Sequence, residues 1–177
     1  MIQTIVNRIK NKKLSIAVVG LGYVGLPLVY ALTKKGYKVI GIDSDKTKIN
    51  QLLNSKSYVE RVSNIDINKI INKKFFPTRN FAEISNSDII IYCLPTPLKE
   101  KKIPDMSYIK NAFEKSKPFF KNNHIISLES TTYPGTTEDY FIKPLKKMGF
   151  KIGENFFVIY SPEREDPGNK DFSIENT

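Results

Sequence analysis

The sequence is nearly empty of the residues from which metal centres and disulfide frameworks are built. It has one cysteine, Cys93, one histidine, His124, and no tryptophan. A single cysteine closes no internal disulfide, which fits a reducing, cytoplasmic home. One histidine with one cysteine makes no zinc site, so no metal is expected. Long apolar runs are also scarce. The first thirteen residues, MIQTIVNRIKNKK, are amphipathic and end in charge, without the apolar stretch or small-residue cleavage site of a secretory signal. Only Leu14–Leu32 is uncharged for long enough to be weighed as a membrane span. It contains Gly20, Gly22, Gly25 and Pro27, so strand, glycine turn and helix account for it better. There is no internal repeat and no low-complexity segment.

What is present is enough for one folded unit. A chain of 177 residues, 40% hydrophobic with aromatics along its whole length, can bury a sizeable core and is not a disordered chain. The net charge of +10 favours anionic partners. The lysines, however, fall in separate groups at Lys10–Lys13, Lys34–Lys38, Lys69–Lys74, Lys99–Lys102 and Lys143–Lys151. No helix carries them on one face with aromatics between. The expectation is a solvated, lysine-rich surface, with neither nucleic acid nor membrane as a partner.

Apolar runs bounded by turn residues predict strands at Leu14–Val19, Tyr37–Ile42, Phe75–Thr78, Asp88–Leu94, Ile125–Leu128 and Phe156–Tyr160. Helical spacing predicts helices at Tyr23–Lys35 (ended by Gly36), Asp45–Asn54, Asp66–Lys73, Ser107–Lys117 and Thr136–Met148, the last with a bend at Pro144. Pro95–Asp105 reads as a loop. Strands alternating with helices predict an α/β fold, a Rossmann-like doubly wound parallel sheet with helices on both faces in a single domain, residues 1–177. Ligands of such sheets bind at the carboxyl ends of the strands.

Four motifs follow strands. Gly20-Leu-Gly22-Tyr-Val-Gly25 follows the first strand and opens a helix. Gly20 suits a tight turn, Gly22 a close approach to a pyrophosphate, and Gly25 close packing of helix on strand, while the helix N-terminus favours phosphate. Asp43 ends the second strand, where a carboxylate accepts from the adenosine ribose hydroxyls and selects NAD over NADP. Ser44 or Asp45 can cap the next helix, leaving Asp43 free. Lys48 either shields the diphosphate or is solvated. The second motif, Leu94-Pro95-Thr96-Pro97, stiffens the loop after the fourth strand. The third, Glu129 to Thr137, sets hydroxyls at the end of the fifth. Thr136 or Thr137 reads as a helix cap with Asp139, which leaves Ser130 and Thr131 for other work. The fourth, Ser161 to Asn169, crowds charge into a loop after the last strand, with Glu163 as a candidate base and Arg164 as an anion or carbonyl contact. Cys93 reads as a small core residue, and His124 lies at the wrong end of its strand for this site.

Together these motifs resemble the UDP-glucose/GDP-mannose dehydrogenase family: Gly20 to Pro27, Gly41-Ile-Asp43, Thr96-Pro97, Ser130-Thr131, Pro134-Gly135-Thr136-Thr137 and Ser161-Pro-Glu-Arg164. The resemblance runs from Leu14 onward. The loop Ser161 to Gly168 looks most like the branch that oxidises UDP-N-acetylglucosamine. The resemblance implies NAD as cofactor and oxidation of the C6 hydroxyl of a UDP-sugar in two steps, the second through a thioester on a cysteine of a further domain. It implies NAD contacts from Gly20, Gly22, Tyr23, Val24, Gly25, Asp43, Lys48, Pro95, Thr96, Pro97, Ser130 and Thr131. Glu163 and Thr131 would handle and position the hydrolytic water, and Glu163, Arg164 and Glu165 would contact sugar. Glu129 stands where other branches often carry a basic residue. The family continues with a long helix and a second domain bearing catalytic cysteine, lysine, asparagine and aspartate. These residues alone are therefore expected to bind NAD without turnover, and to be monomeric where the whole protein is a homodimer.

Overall fold

The computed structural model describes residues 2–99 and 103–162. Six strands form one sheet: β1 (Ser15–Val19), β2 (Lys38–Ile42), β3 (Phe75–Thr78), β4 (Ile89–Tyr92), β5 (Ile125–Leu128) and β6 (Phe157–Tyr160). Their order is β3-β2-β1-β4-β5-β6, and every neighbouring pair is parallel. The chain leaves β1 in one direction for β2 and β3, then returns to the other side of β1 for β4 to β6. This reversal is a topological switch point, the place where open α/β sheets bind ligands.

Alternation along each strand divides the core into two layers. Ile16 and Val18 of β1 and Val39 of β2 face one side, with Leu26, Ile49, Leu52, Ile67 and Phe75. That side carries α2 (Gly25–Lys34), α3 (Lys46–Leu53) and α4 (Asn64–Ile70). Ala17, Val19, Ile90, Tyr92, Ile126 and Leu128 face the other, with Ile109, Phe113, Phe141 and Leu145. That side carries α5 (Ser107–Ser116), the 3₁₀ turn Phe81–Asn86 and α6 (Lys143–Lys147). Phe141 stacks edge-on against both Tyr92 and Phe113, at centroid separations of 5.4 and 5.3 Å. A further helix, α1 (Ile2–Lys10), precedes the sheet. The Arg8 guanidinium forks onto Asp88 at 2.7 and 2.8 Å, and Tyr37 donates to the Ile9 carbonyl.

Local chemistry sets most helix ends. Asp45 caps α3 by accepting from the Thr47 and Lys48 amides, and Ser63 with Asp66 forms a reciprocal capping box at α4. Several expectations need correction. The helix read at Asp66–Lys73 runs from Asn64 to Ile70, started by the Ser63–Asp66 box. The helix read at Tyr23–Lys35 begins at Gly25, because the glycine turn occupies residues 22–24. The helix read at Thr136–Met148 contains a π-turn at Glu138–Ile142, with the Lys143 amide bonded to the Glu138 carbonyl five residues back. Pro144, which has no amide to give and clashes with a regular preceding turn, follows directly; the widened turn takes the place of a simple bend. Thr136 forms no capping box. Its hydroxyl donates to the Tyr133 carbonyl, closing the turn before the helix. The loop after β4 is also more ordered than expected, since Leu98 and Pro104 form an antiparallel bridge.

Candidate functional site

The glycine turn is built by three glycines that do three different things. Gly20 continues the sheet, its amide donating to the Ile42 carbonyl at 2.8 Å, and turns the chain at φ +94°. A Cβ there would strike the Cys93 carbonyl. A Cβ on Gly25 would strike the Gly20 carbonyl, so this position lets α2 start directly against the turn. Gly22 is different: a Cβ there would meet nothing within 4 Å. The protein itself does not require glycine at 22. The open space lies over the start of α2, whose N-cap residue, Val24, supplies no side-chain cap. A backbone bared toward a helix N-terminus is the form of an anion cradle, and it fits a pyrophosphate.

Asp43 closes the turn from the β2 side. Its carboxylate accepts from the Leu21 amide (2.9 Å), the Asp45 amide (2.9 Å) and the Lys48 ammonium (3.4 Å). Asp45 rather than Asp43 caps α3, as expected, but Asp43 is not free: it is the clamp that holds the glycine turn. Lys48 lines the cleft and keeps about a third of its side chain exposed. It pairs with Asp43 and sits over the Tyr58 ring, 5.8 Å from the centroid. Tyr58 in turn donates to the Leu21 carbonyl at 2.7 Å. Burial, with Asp43 and Asp45 nearby, raises the Tyr58 phenol above its ordinary value and keeps it a donor.

On the β4–β5 side two hydroxyls clasp the strand ends together. The Ser130 hydroxyl accepts from the Leu94 amide at 3.0 Å, and Thr96 donates to the Thr131 carbonyl at 2.8 Å. Ser127 donates to Glu129, whose carboxylate is half-buried beside Ser130.

These elements enclose a cleft of about 890 Å³ across the switch point, within the range of about 300–1,000 Å³ that small-molecule sites occupy. Gly20, Gly22, Tyr23, Val24, Asp43 and Lys48 line its β1–β2 end, and Pro95, Thr96, Ser130 and Thr131 its β4–β5 end. Gly25 lies beneath the turn and Pro97 beyond the rim, where its carbonyl accepts from the Asp105 amide; neither lines the cleft. Glu163, Arg164 and Glu165 lie outside the described residues. The sequence reading missed Tyr58, together with Phe81 and the outward side of α5 at Tyr108, Asn111 and Lys115, all of which line the cleft. For Tyr108, Asn111 and Lys115 the position of α5 just after the loop at Pro95 was the available signal; for Tyr58 and Phe81 there was none. Among the described residues no three His, Cys, Asp or Glu side chains gather to hold a metal, and no helix is long and apolar enough to cross a membrane.

Comparison with known proteins gives a concordant picture. Residues 14–176 match the model of the NAD binding domain of the UDP-glucose/GDP-mannose dehydrogenase family. A UDP-N-acetyl-D-glucosamine 6-dehydrogenase of Pseudomonas aeruginosa is 36% identical over 166 residues, covering 93% of this chain and 39% of that protein. A UDP-N-acetyl-D-mannosamine dehydrogenase of Methanococcus maripaludis is 35% identical over 158 residues, covering 86% of this chain and 35% of that one. The solved UDP-D-ManNAc dehydrogenase of Pyrococcus horikoshii superposes with a TM-score of 0.81 at 30% identity, covering 87% of this chain and 37% of its own. The chain thus spans less than two fifths of the length of the curated relatives it matches.

Proposed function

This chain belongs to the UDP-glucose/GDP-mannose dehydrogenase family as its NAD binding domain, and from that we propose that it serves a UDP-N-acetylhexosamine 6-dehydrogenase, with UDP-N-acetylglucosamine as the sugar nucleotide. Bound in the cleft, NAD supplies a hydride acceptor. The residues of this chain bind it, orient it and handle protons around it. Gly22 and the start of α2 take the pyrophosphate. Asp43 takes the adenosine ribose. A carboxylate has about four acceptor sites, so the carboxylate keeps room for a ribose hydroxyl beside its two backbone amides, and the 3.4 Å contact to Lys48 is the easiest to exchange. A 2′-phosphate at this point would meet the Asp43 charge, which disfavours NADP. Ser130 and Thr96 fix the β4–β5 end, which would hold the nicotinamide half of the cofactor. Thr131 and Glu163 position the hydrolytic water and hold its proton, and Arg164 and Glu165 contact the sugar.

The observation that carries this reading is the vacant approach at Gly22 beside a carboxylate-clamped turn. UDP-N-acetylmannosamine is the second reading, supported by a relative of that name at nearly the same identity. Two measurements test the proposal. In the first, NADH binding to this chain, followed by calorimetry, is saturable, is weaker by at least about ten-fold for NADPH, and falls by a similar factor in Asp43→Ala. A folded chain that binds both cofactors equally overturns the role of Asp43. In the second, the full-length protein is given NAD and a panel of UDP-sugars, and the stoichiometry is two NADH per UDP-N-acetylglucosamine oxidised. Turnover with UDP-N-acetylmannosamine alone moves the assignment to the second reading.

A further inference from the structure

The charge that looks scattered in the sequence is gathered by the fold, and away from the cleft. Three connections enter neighbouring strands β1, β2 and β3 at the edge opposite the dinucleotide site. The first, residues 10–14, brings Lys10, Lys12 and Lys13; the second, residues 34–38, brings Lys34, Lys35 and Lys38; the third, residues 71–75, brings Lys73 and Lys74. None of the three contains an acidic residue, and all eight lysines are exposed. Each connection turns through the left-handed region, at Lys12 (φ 54°), Gly36 (φ 101°) and Asn72 (φ 54°), so the three tips are tight and lie side by side. The Lys74 ammonium donates to the Gly36 carbonyl at 3.3 Å. The ammoniums of Lys12 and Lys74 stand 3.8 and 3.6 Å from the place where a Cβ on Gly36 would be. Like charges gathered around one turn repel one another and favour an anion nearby.

Complementing the helix dipoles does not account for this density. It explains basic residues in the last turns, Arg8 and Lys10 of α1 and Lys34 of α2. Lys12, Lys13, Lys38, Lys73 and Lys74 lie beyond those turns. Asp88, at the start of β4, offers no neutralisation, because the Arg8 fork already occupies it.

α1 adds an apolar element to the same edge. Ile5, Val6 and Ile9 share one face of it, Ile5 and Val6 are half-buried, and Ile9 keeps 40% of its surface exposed. An amphipathic basic helix beside a lysine cluster matches an anionic bilayer, which takes apolar side chains at its headgroup boundary and attracts lysine at its surface. A nucleic-acid duplex has no use for the apolar face, and no arginine, the usual base-reading residue, stands in these three connections.

We propose that this strand-entrance edge, with α1, is a docking surface for an anionic lipid membrane, which leaves the dinucleotide cleft on the far edge of the sheet open to solvent. The proposal goes beyond the dehydrogenase reading and does not depend on it. The test is co-sedimentation of the chain with phosphatidylcholine vesicles, with and without phosphatidylglycerol. The chain binds the anionic vesicles only, and binding weakens as salt rises from about 50 to about 300 mM. Replacing one lysine from each connection, Lys13→Gln, Lys35→Gln and Lys73→Gln together, lowers partition about a hundred-fold, at about five-fold per lysine. Ile9→Ser lowers it roughly ten-fold. A control triple with the same loss of charge elsewhere, Lys56→Gln, Lys110→Gln and Lys143→Gln, changes it by only a few-fold. Thermal unfolding and NADH binding, unchanged in the edge variants, show that fold and cleft are intact. Lack of binding to anionic vesicles at low salt, equal binding to neutral ones, or an equal loss in the control triple overturns the proposal. So does a random DNA duplex that displaces the vesicles, which would give the edge to nucleic acid.

Discussion

At the scale of single residues, the three glycines of the turn have separable roles, although the sequence shows one motif. Gly25 has no room for a Cβ because the Gly20 carbonyl stands there; Gly22 has open space. Gly25→Ala is therefore expected to destabilise the fold by about 3 kcal/mol, the range of forced backbone displacement in a packed region. Gly22→Ala stays within about 0.5 kcal/mol of the parent in stability but loses at least ten-fold in NADH affinity, about 1.4 kcal/mol. Urea unfolding beside NADH calorimetry on both variants checks this. A Gly22→Ala protein that binds NADH normally would remove the reason for a pyrophosphate at that position. The same residues show what sequence reveals of a site. The turn, Asp43 and the clasp residues Thr96, Ser130 and Thr131 were legible because each follows a strand at a fixed offset. The Tyr58 bond to the Leu21 carbonyl, 37 residues away, was not, because no local spacing records a contact that depends on how one loop folds back over another. For the same reason Asp43 was identified as an acceptor for ligand but not as the clamp on Leu21.

At the scale of elements, the six strands were readable to within a residue or two, since each is a short apolar run stopped by glycine, proline or a polar cluster. The departures sit where backbone geometry answers to something other than hydrophobic period. The π-turn at Glu138–Ile142 precedes a proline, and the 3₁₀ turn at Phe81–Asn86 is capped by Asn80 within a polar stretch too short to show periodicity. α1 was visible only as an amphipathic stretch, without a helix being predicted there, and its attachment was not visible at all. It is tied to the sheet through polar bonds, chiefly the Arg8 fork to Asp88, with the Ser15 amide donating to the same carboxylate. With Arg8 42% exposed, the pair is worth about 1 kcal/mol, toward the upper end for such bridges because the contact is bidentate. In Arg8→Ala the α1 amides should exchange with solvent several-fold faster while those of β1 and β4 keep their protection, read by hydrogen exchange. Equal acceleration across β1 would mean that α1 is part of the cooperative core rather than an appendage docked on it.

For the whole molecule, the parallel sheet sorts chemistry by edge. Strand exits carry Asp43, Asp45, Glu129 and the hydroxyl clasp, strand entrances carry lysine, and a single buried base also lies at the entrances. His124 is fully buried among Phe120 and Phe156. Its Nδ1 accepts from the Lys121 amide, so the proton sits on Nε2 and is donated to the Ser87 carbonyl at 3.1 Å. Burial, helped by the Lys121 charge, lowers its pKa from 6.5 to about 4, against smaller opposing effects of Ser87 and Asp88. Because the imidazole joins the starts of β4 and β5 to the aromatic layer, it meets water only when the domain unfolds. The unfolded chain then binds a proton near pH 6.5 that the folded one refuses until about pH 4. Stability is therefore fully present above about pH 6.5 and declines as pH falls through that window, by up to about 3 kcal/mol. The carboxylates with lowered pKa, Asp45, Asp66 and Asp105, lose their contributions only at lower pH, starting near the ordinary aspartate value of 3.8, so the window belongs mainly to His124. Urea unfolding at steps from pH 7.5 to 4.5 should show this decline in the parent and a much flatter profile in His124→Asn, whose absolute stability is lower because the fit of the imidazole is lost. An equally steep decline in the variant would assign the acid sensitivity to the repulsion of a chain carrying a net charge of +10.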